Sequence, residues 1–103
     1  MKNAEILLIT TVSYAKNYKK VGGTELFQPD VVILDEASQA TWADTYCFLQ
    51  LSIDRMVLVG DDKQLDPTVI SQDKILKETV FSKLFNRKPE YYVMLDVQYR
   101  MHP

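Results

Sequence analysis

The sequence predicts an α/β fold, a parallel sheet with helices packed against it, and three observations lead there. Short apolar runs such as Ile6-Leu7-Leu8-Ile9, Val31-Val32-Ile33-Leu34 and Met56-Val57-Leu58-Val59 recur along 103 residues. Each run is followed by a polar or turn-forming segment rather than by a tight hairpin dipeptide, so neighbouring strands run parallel. Polar clusters follow the runs at the same, carboxyl end, which is where open sheets of this kind bind ligands.

The elements follow in order. Glu5 to Val12 combines Ile6, Leu7, Leu8 and Ile9 with β-branched Thr10, Thr11 and Val12, and is predicted as a strand buried on both faces. Ser13 to Gln28 turns basic and aromatic and contains Gly22-Gly23, a loop with about one helical turn. Pro29 introduces a second strand over Val31 to Leu34, with Asp35 and Glu36 at its carboxyl end. Thr41 to Leu51 carries Trp42, Tyr46, Leu49 and Leu51 in an imperfect helical stripe, the crossover helix. Met56 to Gly60 forms a third strand that bends at Gly60 into Asp61-Asp62. From Asp73 to Phe85, apolar residues Ile75, Leu76, Val80, Phe81, Leu84 and Phe85 fall at helical spacings, closed by Arg87, Lys88 and Pro89. Tyr91 to Val97 is the fourth strand, and Gln98 to Pro103 trails from its end.

Composition narrows the function classes. With 47% hydrophobic and 25% charged residues the chain has the make-up of one soluble globular domain. Twelve basic and 14 acidic residues give a net charge of −2, so no global field draws it to nucleic acid or an anionic membrane, and such contact must be local. No apolar run approaches the roughly 20 residues that span a bilayer. Glu5 interrupts any secretory apolar region, and an intracellular protein is expected. Cys47 is the one cysteine, expected reduced and buried, with no partner thiol for a disulfide or metal site.

Three clusters, Asp35-Glu36, Gly60-Asp61-Asp62-Lys63-Gln64 and Gln98-Tyr99-Arg100, supply most of what phosphoryl transfer to water needs. Asp35 is a hard oxygen ligand suited to Mg²⁺, and Glu36 is placed to accept a proton from attacking water. The Gln64 amide can sense a phosphate oxygen or a water, and Arg100 offers a planar, permanently charged fork. Taken singly, each cluster also reads as a solvated turn, a cap or a surface ion pair. Lys16, Lys19 and Lys20 interleaved with Tyr14 and Tyr18 read as a solvated loop or part of a nucleic-acid track. His102 reads as a helix-entry residue.

Together the clusters resemble three motifs of the superfamily 1 helicases of the up-frameshift and senataxin type. Asp35-Glu36-Ala37-Ser38-Gln39 is similar to their motif II, the Walker B strand end. Gly60-Asp61-Asp62-Lys63-Gln64-Leu65-Asp66-Pro67 is similar to motif III, and Gln98-Tyr99-Arg100-Met101-His102-Pro103 to motif IV. The resemblance implies that residues 1–103 are a single partial RecA-like domain, its carboxyl-terminal half. It implies ATP and Mg²⁺ as ligands: Asp35 holds the metal, Glu36 activates water, Gln64 and Arg100 contact the γ-phosphate and Tyr99 packs on the adenine. It further implies that Gln39 joins the ATP site to motif III, and that Thr10 or Thr11 touches the backbone of single-stranded RNA or DNA.

The phosphate-gripping loop of such enzymes needs glycine followed by lysine and a hydroxyl residue. Here the glycines precede Gly23, Thr24 and Asp61. The expectation is a fragment or incomplete product of a larger helicase, inactive alone and completed by a P-loop segment and a second RecA-like domain. A noncatalytic interaction module or a degenerate gene product is the alternative. Without those parts, Val31, Ile33, Val57 and Val59 are expected to stand partly exposed and to invite aggregation.

Overall fold

The apolar runs in the middle of the chain form the sheet, since β-branched and aliphatic residues suit a pleated surface. A computed structural model describes residues 4–21, 28–71 and 73–101. Strand β1 (Val31–Leu34) pairs parallel with β2 (Arg55–Leu58), Val31 opposite Arg55 and Leu34 opposite Leu58. The ladder continues past the strands, with the Val59 amide donating to the Leu34 carbonyl at 2.9 Å. Between the strands runs α2 (Trp42–Leu49), the crossover that parallel pairing requires.

Helix α2 starts where Thr41 and Asp44 form a capping box. The Asp44 amide donates to Thr41 Oγ1 at 3.3 Å and the Thr41 amide donates to the Asp44 carboxylate at 2.9 Å. Helix α3 (Val80–Arg87) starts in the same way, with Thr79 and Ser82 exchanging bonds of 3.0 and 3.2 Å. Such boxes satisfy amides that the first helical turn leaves without partners. An isolated antiparallel bridge joins Thr41 to Thr79, so the two helix entries are tied together.

Side chains alternate across the sheet, and among the described residues one face is covered. Leu34 is buried, and Val32, Met56 and Leu58 pack with it against a core of Tyr14, Ala37, Ala40 and Phe48. The Tyr14 and Phe48 rings lie 4.7 Å apart between centroids, tilted by 30°. Cys47 is half-buried against this cluster and free. The opposite face stands open: Val31, Ile33, Val57 and Val59 are 47, 69, 46 and 42% exposed. Among the described residues no helix is long and apolar enough to cross a membrane.

Four elements differ from the sequence expectation. Residues 5–10 form no strand, and Leu8 is 92% exposed; a strand buried on both faces needs flanking ladders, and β1 pairs only with β2 among the described residues. The basic segment expected as a loop is instead α1 (Thr11–Val21), which packs Tyr14 on α2; the Tyr14 anchor outweighs the polar composition that suggested a loop. Residues 92–97, expected as the fourth strand, lie outside any ladder, again for want of a neighbour. The helix expected from Asp73 breaks into a 3₁₀ turn (Lys74–Lys77) and α3, because Thr79 caps a new start. Gly22-Gly23, His102 and Pro103 lie outside the described residues.

Candidate active site

The sequence places an acid pair at the end of one parallel strand and a Gly-Asp turn at the end of its neighbour, and pairing then fixes their proximity. Past Leu34 the chain turns through Asp35 to Gln39. The Glu36 amide donates to Asp35 Oδ1 at 3.0 Å, and the Gln39 amide donates to the Glu36 carbonyl at 2.9 Å. Glu36 sits at φ 52°, in the left-handed region. For an L-residue that region costs roughly 1–2 kcal/mol, and such residues gather at functional sites.

This backbone yields a stability prediction. Glu36→Gly and Glu36→Ala both remove the carboxylate, but only glycine relieves the backbone. Glu36→Gly is expected to be more stable than Glu36→Ala by about 1 kcal/mol. Denaturant unfolding of the two variants side by side measures it, and equal stability would remove the strain.

The two loops are laced together. The Ala37 amide donates to the Val59 carbonyl at 2.7 Å, and Ala37 is 1% exposed. Gln39 Nε2 donates to the Leu65 carbonyl at 2.9 Å, and the Asp61 amide donates to Ser38 Oγ at 3.4 Å. Within the second loop, Asp61 accepts from the Lys63 amide at 2.9 Å and from Gln64 Nε2 at 3.2 Å. Asp35, Glu36, Gln39, Asp61 and Gln64 are all solvent-accessible. A groove of about 180 Å³ opens between this loop and α3, with Ser38, Asp61, Gln64, Leu65 and Phe81 in its wall. Asp35 and Glu36 lie outside its lining.

Arg100 and Tyr99 are exposed and make no hydrogen bond to these loops among the described residues. Gln98 closes the segment on itself, its side chain accepting from the Met101 amide at 2.7 Å and donating to the Met101 carbonyl at 3.0 Å. Tyr99 is 92% exposed, and neither it nor Arg100 makes a hydrogen bond or ion pair among the described residues. The segment is joined to the body through Tyr92, whose ring meets Phe85 edge-on at 4.9 Å, and Phe85 in turn stacks on Phe81.

Thr10 and Thr11 lie at the amino end of α1 rather than at a strand end. Thr10 caps the helix, its Oγ1 accepting from the Ser13 amide at 3.2 Å and its carbonyl from the Tyr14 amide at 2.8 Å. Threonine at this position is favoured because it satisfies an orphan amide. Lys16 is exposed on α1. Ser38 is the residue that sequence reasoning passed over: a serine inside a motif has no spacing signature, and only strand pairing brings its hydroxyl to Asp61.

Comparison with known proteins places the chain in a family. The AAA domain family model matches residues 1–72. An uncharacterized ATP-dependent helicase of Methanocaldococcus jannaschii is 37% identical over 102 residues, covering 95% of this chain and 15% of the relative. The probable helicase MAGATAMA 3 of Arabidopsis thaliana is 47% identical over 78 residues, 72% of this chain and 9% of the relative. The probable helicase senataxin of Homo sapiens is 38% identical over 87 residues, 70% of this chain and 3% of the relative. No solved structure matches the chain. The chain thus spans a small part of the curated relatives it matches, and that part holds the paired strands and both laced loops. On the family match and these relatives, the chain belongs to the AAA domain family, among the superfamily 1 helicases of the senataxin type.

Proposed function

We propose that residues 1–103 are part of the first RecA-like domain of an ATP-dependent helicase that couples ATP hydrolysis to movement along single-stranded RNA or DNA. The observation that carries this reading is the lacing of the two loops, Ala37 to Val59 and Gln39 to Leu65. It brings an Asp-Glu turn and a glutamine-bearing loop to one edge of a parallel sheet, where phosphoryl-transfer sites need a metal ligand, a base and a γ-phosphate sensor.

The donor set fits Mg²⁺. Magnesium at phosphate sites keeps several waters and takes one or two carboxylates, and Asp35 is exposed with Oδ1 on the Glu36 amide and Oδ2 without a partner among the described residues. When bound, the metal would neutralise charge on the nucleotide phosphates. Glu36 accepts the proton of the attacking water, and Gln64 orients a water or a γ-phosphate oxygen. Arg100 and Tyr99 engage the phosphate and the adenine when the exposed carboxyl-terminal segment is brought to the nucleotide. Thr10 and Thr11 contact the backbone of the strand from the exposed start of α1, where helix amides favour phosphate.

The phosphate-gripping loop and the second motor domain belong, on this reading, to the rest of a longer polypeptide. The isolated chain is expected to show no ATP turnover, and the longer polypeptide is expected to show turnover stimulated by single-stranded RNA or DNA. Turnover assays on both test the proposal. Activity of residues 1–103 freed of contaminating ATPases would overturn its partial character, and a longer polypeptide without turnover would overturn the motor reading.

A further inference from the structure

We propose that Gly60 is a positioning residue for hydrolysis: by presenting no Cβ it lets the end of β2 close onto the Ser38 amide and so sets the Gln64 loop against the Asp35–Gln39 turn. The inference rests on the reading of Gln64 given above. An ideal Cβ at Gly60 would stand 2.9 Å from the Ser38 backbone nitrogen, 3.3 Å from Ser38 Oγ and 3.2 Å from Phe81 Cε2. The first of these is too close for a carbon, and the atom it meets is main chain, which cannot rotate aside. Gly60 does not take a left-handed φ, so the position uses the missing side chain and not backbone freedom.

The Ser38 main chain cannot give way freely. Ala37, one residue before Ser38, is buried in the core with its amide on the Val59 carbonyl. The contact with Phe81 is made by the edge of its ring and calls for a shift of only a few tenths of an ångström. An added methyl therefore moves the loop that begins at Gly60. Asp61 follows directly and holds Gln64 Nε2 at 3.2 Å, so the amide of Gln64 inherits its place from Gly60. The Ser38 hydroxyl contributes from the other side, accepting the Asp61 amide at 3.4 Å. Misplacement of a reacting geometry by about 1 Å costs on the order of 10² in rate.

The test is a double-mutant cycle in the longer polypeptide, with single-turnover hydrolysis, the KM for ATP and thermal unfolding measured together. Gly60→Ala is expected to lower kcat by about 10- to 10²-fold with KM little changed. Gln64→Ala is expected to lower kcat, and the double variant to be no slower than the slower single variant, because Gly60 acts through Gln64. Ser38→Ala, which removes the hydroxyl that accepts from the Asp61 amide, is expected to give a loss of up to about tenfold, again absent in the Gln64→Ala background. Should Gly60→Ala not fold, the Ser38 and Gln64 pair carries the same test. Losses that multiply in full in the double variants would overturn the positioning role while leaving Gln64 in the site. An unchanged rate in Gln64→Ala would instead remove Gln64 from hydrolysis, and the proposal with it.

Discussion

Replacing Glu36 by glutamine in the longer polypeptide is expected to leave nucleotide and nucleic-acid binding in place while lowering turnover by about 10² to 10⁴. The substitution keeps the shape of the side chain and the backbone at φ 52°, so the only loss is the group that takes the proton. Asp35→Ala is expected to act on a different quantity, weakening binding of the Mg²⁺-nucleotide complex, because the metal loses an anchor. Arg100→Ala is expected to slow hydrolysis more than it weakens binding, if its charge meets the transition state rather than the ground state. Single-turnover hydrolysis beside equilibrium nucleotide binding separates the three. Full hydrolysis by Glu36→Gln would remove Glu36 as the base, and full activity in all three would end the ATPase reading of these motifs.

Phe48→Ala is expected to unfold the isolated chain. Phe48 is buried, meets the Tyr14 ring at 4.7 Å and stands in a core completed by Leu34, Ala37 and Ala40. Truncating a buried phenylalanine costs about 3–5 kcal/mol, against a total stability of about 5–15 kcal/mol for an ordinary domain. A sheet with one bare face has less to lose. Circular dichroism and denaturant titration at 25 °C should show loss of α1 and of any cooperative transition. A cooperative variant destabilised by less than about 1 kcal/mol would show that the Tyr14–Phe48 contact is not what holds α1 to the sheet.

The parts of the fold legible in the sequence are those whose cause is local. The runs Val31–Leu34 and Met56–Leu58 became strands, and α2 fell where the crossover was expected, because each finds its partner in the other. Residues 5–10 and 92–97 have the same apolar composition and form no ladder, for composition reports what a segment can bury and not whether a neighbour is present. Helix α1 was hidden because polar residues dominate its sequence, while the contact that anchors it, Tyr14 on Phe48, arises only in the folded chain. At the site, the sequence grouped Asp35-Glu36, Gly60 to Gln64 and Gln98-Tyr99-Arg100, and the resemblance added Gln39; strand pairing laces the first two loops together, whereas the third cluster follows a segment that joins no ladder. The roles of Ser38 and Gly60 were not legible, because they depend on an interatomic approach that arises only after the two strands pair.

The left-handed backbone at Glu36 also bears on how such a chain would decay. A single base change turns a glutamate codon into a glycine codon, and at this position that change suits the backbone better than the residue it replaces. A copy released from ATP turnover would therefore meet no stabilising selection for the carboxylate and a slight folding advantage in discarding it. Drift would run downhill, toward glycine or toward asparagine, which tolerates the same conformation. Glutamate here is the residue that folding alone would not choose, which accords with the role proposed for its carboxylate.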